Sequence, residues 1–276
     1  MTDVYAVFGN PIAHSKSPLI HAAFARQTDQ EIAYERQLVA VGEFASAARA
    51  FFEAGGKGLN ITQPFKLDAY EYADKLTRGA RQAGAVNTLI MGEDGTVLGE
   101  TTDGVGMVRD IMVNQTWQMA DKRILLLGAG GAVRGVLGPI LGERPQQLTV
   151  ANRTPLKAEQ LARGFAAEGN IAGCGFDELE GQEFDLVING TSASLAGEMP
   201  PLPDGLLAPA AYCYDMMYGA EPTVFLAWAR QQGAAGWVDG LGMLVEQAAE
   251  SFTLWRAVRP DTATVIADMR AQLMAG

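Results

Sequence analysis

Three features of the 276-residue sequence predict an α/β fold with a mostly parallel sheet, spread over two domains. Short apolar runs alternate with amphipathic stretches along the whole length, which is the pattern of β-α-β units. At roughly 150 residues per domain the length suits one large domain or two modest ones, and the composition changes after about Trp117. A glycine-rich turn then follows directly on a buried apolar run, as where a strand feeds a helix in a doubly wound parallel sheet.

The elements follow in order. Tyr5-Ala6-Val7-Phe8 reads as the first strand, broken by Gly9-Asn10-Pro11. Ser17-Pro18 has the form of an N-cap followed by proline at the first helical position, with Leu19, Ile20, Ala23 and Phe24 on the apolar face. Gly58 to Thr62 reads as another strand, and Pro64 as the opening of the next helix. Ala85 to Ile90 and Thr96 to Leu98 are strands joined by the turn Gly92-Glu93-Asp94-Gly95, a hairpin that ends at Asp103-Gly104. In the second half Arg123 to Leu127 is a buried strand, with further strands at Leu148 to Ala151, Phe184 to Ile188 and Tyr212 to Tyr214. The chain closes in helix, from about Met243 to Val258 and again beyond Pro260. These last helices are expected to return to the first domain, giving 1–103 with 241–276 for the first domain and 104–240 for the second.

Composition excludes several functions. With 32 Asp+Glu against 21 Lys+Arg the formal charge is −11, a field that repels a polyanion, so no nucleic-acid partner is expected. No run of ~18 apolar residues is present to cross a membrane. Cys174 and Cys213 are too few for a disulfide framework, and no Cys/His spacing resembles a zinc site, so no metal is expected. The first residues lack a basic segment followed by a long apolar stretch, from which a cytoplasmic location is expected. The acidic surface favours solubility, and a monomer or homodimer is the expected state.

The turn Gly128-Ala129-Gly130-Gly131-Ala132 carries the clearest chemical signal. A helix that starts straight after a buried strand presents free N–H groups and the positive end of its dipole, and glycines let a pyrophosphate come close. Val133 stands where the usual fingerprint has its third glycine, so taken alone the run is also compatible with a tight turn in any α/β domain. About 20 residues on, an acidic residue would accept the ribose hydroxyls of NAD. Asn152-Arg153-Thr154 and Lys157 stand there instead, a set suited to the 2′-phosphate of NADP. Together the two signals predict a Rossmann-type NADP domain.

In the first half Lys66 is placed in the first turn of a helix, where a cation opposes the dipole. A breach of a local rule is where function concentrates, although many such lysines are idle. Asp103 could be an N-cap or an active group. Ser15, Ser17, Thr62 and Asn87 join them in a cluster of hydroxyl, amide and charged groups at one edge of a sheet, suited to a small polyhydroxylated ligand. His14 and His21 have no metal partner at ligand spacing, and His21 is expected to pack or cap within its helix.

Gly9 to Pro18 resembles the opening of the shikimate dehydrogenases, and the match runs the whole chain. Similar to that family are Asn60-Ile61-Thr62-Gln63-Pro64-Phe65-Lys66, Ala83 to Thr88, Thr102-Asp103-Gly104, the glycine turn with Arg134, Asn152-Arg153-Thr154, Tyr214 to Tyr218, and Asp239 to Met243 with Gln247. The resemblance implies an N-terminal α/β substrate domain, a Rossmann-type NADP domain, and the reversible NADP-dependent interconversion of 3-dehydroshikimate and shikimate, a step toward the aromatic amino acids. It implies Lys66 and Asp103 as the catalytic pair, Ser15 and Ser17 on the substrate carboxylate, and Thr62, Asn87, Tyr218 and Gln247 on the ring hydroxyls. Gly128, Ala129, Gly130, Gly131 and Ala132 would take the pyrophosphate, Asn152, Arg153, Thr154 and Lys157 the 2′-phosphate, and Met216 and Gly240 the nicotinamide side. Thr101 stands where the family usually has Asn. A sister enzyme acting on quinate or an amino analogue, and a non-catalytic NADP sensor, remain open at this point, whereas Asn152-Arg153-Thr154 disfavours a methyltransferase.

Overall fold

The computed structural model describes residues 2–191, 193 and 197–275. They pack as two compact units, one running to Gly106 and taking in Val245–Val265, the other comprising Met107–Leu244 and the residues from Ile266 on. Residues after Ile266 thus group with the second unit, where the sequence pattern carried the first domain on to residue 276.

The first unit holds β1 (Asp3–Gly9), α1 (Ser17–Gln27), β2 (Ile32–Leu38), α2 (Phe44–Glu53), β3 (Gly58–Ile61), α3 (Lys66–Tyr72), β4 (Lys75–Leu76), α4 (Arg78–Ala83), β5 (Thr88–Met91) and β6 (Val97–Glu100). Its sheet has the order β2-β1-β3-β5-β6-β4. β1 pairs in parallel with β2 and β3, whereas β5 pairs antiparallel with β3 and with β6 across the expected Gly92–Gly95 turn. Side-chain alternation on the strands divides the core. Ala6, Phe8, Leu59, Ile61 and Leu89 pack with Phe44, Ala48, Phe65 and Ala69 of the second and third helices and the turn between β3 and α3. On Tyr5 lies Trp255, stacked at 4.7 Å, and its indole N–H donates to the Leu89 carbonyl at 3.1 Å. Trp255 can lie there because Gly58 has no side chain: a Cβ would stand 2.3 Å from the indole nitrogen.

The second unit is a parallel sheet of order β12-β11-β10-β7-β8-β9, the doubly wound arrangement in which the strand order reverses beside the first strand. Its strands are β7 (Arg123–Leu127), β8 (Gln147–Ala151), β9 (Ile171–Cys174), β10 (Phe184–Asn189), β11 (Leu207–Asp215) and β12 (Gly236–Asp239). Between them run α6 (Gly131–Gly142), α7 (Pro155–Phe165) and α8 (Val224–Gln231). α5 (Asp103–Arg109) leads into this unit through a π-turn over Asp110–Asn114, while α9 (Leu241–Arg256) and α10 (Ala263–Ala275) follow it. Alternate residues of β7 serve opposite faces: Ile124 and Leu126 pack with Val136, Leu137 and Ile140 of α6, while Leu125 and Leu127 pack with Phe225 and Leu226 of α8. Burial of both faces is why this strand reads as a continuous apolar run.

Several local expectations are corrected. Ser17 is the first residue of α1 rather than its side-chain cap, and Lys16 precedes the helix. Ile20 and Phe24 are buried, but Leu19 is 44% exposed and lies off the apolar face. Pro64 sits in a turn closed by Phe65 N–H donating to the Thr62 carbonyl at 3.1 Å, so α3 starts at Lys66. Asn87 precedes β5 instead of lying within a strand.

Candidate active site

Backbone pairing at one edge of the first sheet gathers the polar segments. The loop after β1 meets the turn after β3 through Asn10 N–H on the Gln63 carbonyl at 3.0 Å. Val86 N–H donates to the Lys66 carbonyl at 3.0 Å, and Ile61 N–H to the Asn87 carbonyl at 2.8 Å. With Asn87 N–H donating to the Glu100 carbonyl at 3.0 Å, just before α5, these links place the start of α3, the segment before β5 and the start of α5 together beyond the strand ends.

There Lys66 Nζ donates to Asp103 Oδ2 at 2.5 Å, a charge-assisted contact between side chains 32% and 15% exposed. Asp103 is the first residue of α5, and its carboxylate is spent on side chains. Its other oxygen accepts from Asn87 Nδ2 at 2.9 Å. The orientation of the Asn87 amide is fixed from both ends, because its Oδ1 accepts the Thr102 backbone N–H at 2.9 Å. Gln247 Oε1 lies 3.4 Å from the same Asn87 nitrogen. Lys66, Asp103, Asn87 and Gln247 are therefore brought into one hydrogen-bonded group.

Behind this group runs a buried network that the sequence did not reveal. Thr88 Oγ1 donates to Asn87 Oδ1 at 2.9 Å and lies 2.8 Å from Ser251 Oγ. Ser251 in turn accepts from Asn60 Nδ2 at 3.0 Å, and Tyr34 donates its phenolic hydrogen to Asn60 Oδ1 at 2.7 Å. His21 stacks on Tyr34 at 4.2 Å and is fully buried, with no hydrogen-bond partner at either ring nitrogen among the described residues. It packs, as expected. Burial pushes its imidazole down to about 3, against a lesser opposing influence of Asn60, whose amide is spent on Tyr34 and Ser251. Ser15 and Ser17 lie together in the loop before α1 and at its first residue, their hydroxyls 3.3 Å from one another. Thr62 lies at the same edge, its N–H on the Phe8 carbonyl at 3.0 Å.

The second unit presents a different kind of site. Gly128 has φ +105°, a conformation that L side chains rarely adopt, and a Cβ there would press at 3.3 Å on the Gly190 backbone. Beyond it, a Cβ at Gly130 or Gly131 would meet nothing within 4 Å. Gly130, the residue before α6, has no side chain with which to cap it, and among the described residues no side chain is recorded on the helix's first N–H groups, which start beside this open space next to Ala129 and Ala132. That is room and donor geometry fit for a pyrophosphate. After β8, Arg153, Thr154 and Lys157 are exposed, and Asn152 Nδ2 donates to the Thr154 carbonyl at 3.0 Å. No carboxylate stands in the run from Asn152 to Lys157 to oppose a phosphate.

Met216 and Gly240 are neighbours: a Cβ on Gly240 would fall 2.3 Å from the Met216 carbonyl oxygen. Tyr218 is half-buried, and burial raises its phenol above the usual range with Asp239 adding to the effect. Asp239 accepts from Leu241 N–H at 3.2 Å at the start of α9 and pairs with Arg270 of α10, which also donates to the Gly219 carbonyl at 2.9 Å. Arg270 thus ties α10 to the segment carrying Tyr218, a link no local pattern could have signalled.

Three family models match the chain: the shikimate dehydrogenase substrate binding domain over residues 7–89, shikimate / quinate 5-dehydrogenase over 111–196, and the shikimate 5′-dehydrogenase C-terminal domain over 240–274. The chain is 62% identical over 273 residues to a shikimate dehydrogenase (NADP(+)) of Cellvibrio japonicus, covering 99% of both chains. Among solved structures it is similar to an Ael1 enzyme from Pseudomonas putida, with TM-score 0.91 and 46% identity over 97% of this chain and 98% of that one. It is also similar to the shikimate 5-dehydrogenase of Thermus thermophilus in complex with NADP(H) and shikimate, with TM-score 0.86 and 28% identity over 99% and 100% of the two chains.

Proposed function

The chain belongs to the shikimate dehydrogenase family, and from that premise we propose that it interconverts 3-dehydroshikimate and shikimate with NADP, using Lys66 and Asp103 as its catalytic pair. The observation that carries the residue assignment is the 2.5 Å ion pair whose second carboxylate oxygen is held by Asn87. A bound oxidised nicotinamide supplies hydride acceptance. The protein's task is then the proton. In the reductive direction the Lys66 ammonium gives its proton to the carbonyl oxygen as the hydroxyl forms. In the oxidative direction Lys66 first releases a proton to solvent, and its neutral amine then takes the hydroxyl proton as the carbonyl forms, which restores the ion pair with Asp103. Asp103 aims Nζ, and Asn87 keeps the carboxylate from turning away.

Ser15 and Ser17 receive the substrate carboxylate, while Thr62, Asn87, Tyr218 and Gln247 hold the ring hydroxyls. Gly128, Ala129, Gly130, Gly131 and Ala132 take the pyrophosphate through backbone N–H groups. Asn152, Arg153, Thr154 and Lys157 take the 2′-phosphate, with Met216 and Gly240 beside the nicotinamide. The enzyme works in the cytoplasm, as a monomer or homodimer that light scattering distinguishes.

Absorbance at the reduced-nicotinamide band tests the reading with shikimate or quinate against NADP or NAD. Fast NADPH formation with shikimate is the expected result. Tight NADPH binding with no turnover of either acid would overturn the substrate assignment.

A further inference from the structure

An acidic protein that takes an anionic acid must supply local positive charge, because its overall field of −11 opposes the approach. Neutral serine hydroxyls donate hydrogen bonds but carry no charge. Next to them stands a guanidinium with no assigned role. Arg36 lies on edge strand β2, opposite Val7 of β1, and reaches the loop that follows β1. Its Nε and Nη2 donate to the Ser15 carbonyl oxygen at 2.8 and 2.6 Å. Ser15 Oγ then accepts the Ser17 N–H at 3.3 Å and lies equally far from the Ser17 hydroxyl. The guanidinium fixes the backbone that presents both hydroxyls.

The charge on Arg36 remains available. Both recorded contacts go to a neutral carbonyl, and among the described residues no carboxylate pairs with it. Two other exposed cations do pair with carboxylates, Lys75 with Asp94 and Arg163 with Glu159. A guanidinium that spends two donors in one plane on a carbonyl keeps its remaining N–H groups and its full charge, since it does not deprotonate.

We propose that Arg36 is a positioning and specificity-determining residue for the acid end of the substrate: it clamps the Ser15 carbonyl and supplies the positive field that selects a carboxylate. The inference rests on the reading of Ser15 and Ser17 as carboxylate-binding. It assigns to Arg36 no part in proton or hydride transfer, so its effect falls on KM for the acid and leaves kcat and KM for NADP unchanged.

The test compares wild type, Arg36→Gln and Arg36→Lys on shikimate and on its methyl ester, the ester being read as substrate or as competitive inhibitor. Arg36→Gln is expected to raise KM for shikimate about ten-fold while kcat and KM for NADP stay within about two-fold, and to raise the ester's constant much less, by the loss of the clamp alone. Arg36→Lys, which keeps the charge but loses the fork, should recover part of the loss. Raising salt from about 0.02 to 0.2 M should raise KM for shikimate in wild type and not in Arg36→Gln. An unchanged KM for shikimate in Arg36→Gln, or an equal loss for acid and ester, would overturn the proposal. Ser15→Ala and Ser17→Ala separate the two readings: if neither alters KM for shikimate the serine assignment fails, while discrimination between acid and ester by Arg36 is still measured.

Discussion

The two sites are built on opposite plans. In the first unit the chemistry sits on side chains, and each is held by another side chain: Asp103 by Lys66 and Asn87, Asn87 by Thr88 and Thr102, Thr88 by Ser251. In the second unit the glycine turn offers backbone N–H groups and empty space, flanked by exposed cations that follow β8. A group that moves a proton must be aimed before substrate arrives, so it is braced from within. A phosphate needs only donors, positive charge and room, which a helix terminus provides without bracing. The contrast predicts that damage to the braced group of Lys66, Asp103 and Asn87 appears in kcat and damage in the second unit appears in KM for the cofactor.

The sharpest way to break that contrast is at Lys66. Lys66→Met should lower kcat by about 10³, within the range general acid–base catalysis contributes, while NADPH binding, followed by fluorescence, is unchanged. Asp103→Asn should fall short of that loss, since it keeps a polar partner for Nζ but removes the charge. Turnover in Lys66→Met equal to wild type would end the assignment of the pair. In the second unit, Arg153→Ser removes one charged partner of the 2′-phosphate. KM for NADP should rise about ten- to hundred-fold, the worth of a charge-assisted hydrogen bond, with kcat and the constants for NAD nearly unaltered. An equal loss with both cofactors would place Arg153 elsewhere.

Ser251→Ala probes the bracing itself. Ser251 touches Asn60, Thr88 and Thr102 and donates to the Gln247 carbonyl at 3.1 Å, yet it meets no substrate in the proposed scheme. Loss of its hydroxyl should lower kcat about three- to ten-fold through a looser Asn87, with KM for NADP unchanged. Unaltered kcat would show that Asn87 is held adequately by Thr88 and Thr102 without Ser251.

What the sequence made legible follows the same physical divide. The central strands of the second sheet announced themselves, because strands buried on both faces are continuous apolar runs. The four strands that escaped the pattern, β2, β4, β9 and β12, are the four sheet edges. An edge is covered on one side only and tolerates the polar run Tyr34-Glu35-Arg36-Gln37, which hides its own periodicity. Lys66 was legible as a cation in a first turn, and Asp103 as an acid after a hairpin. Arg36, Asn60 and Ser251 were not, since their partners lie 21, 28 and 191 positions away and only the folded sheet brings them together.

The smallest expected effect lies at the blind end of the network, in stability. His21 is neutral in the folded chain, with its imidazole held down at about 3, whereas in the unfolded chain it takes up a proton near its ordinary value of 6.5. Between those values the unfolded state binds more protons, so stability is complete above about pH 6.5 and falls as the pH is lowered toward 3. Integrated from pH 7 to pH 5, above the range where most carboxylates titrate, the loss from this one group is about 2 kcal/mol. His21→Phe keeps a ring over Tyr34 and removes the titration, so urea unfolding at pH 7 and pH 5 should show a smaller drop in the variant by about that amount. Any cost of fitting the larger ring appears equally at both pH values and cancels in the comparison. Identical drops in the two proteins would mean that the His21 imidazole finds a proton-accepting partner when the network opens, and that the bracing behind Asn87 is softer than its hydrogen bonds imply.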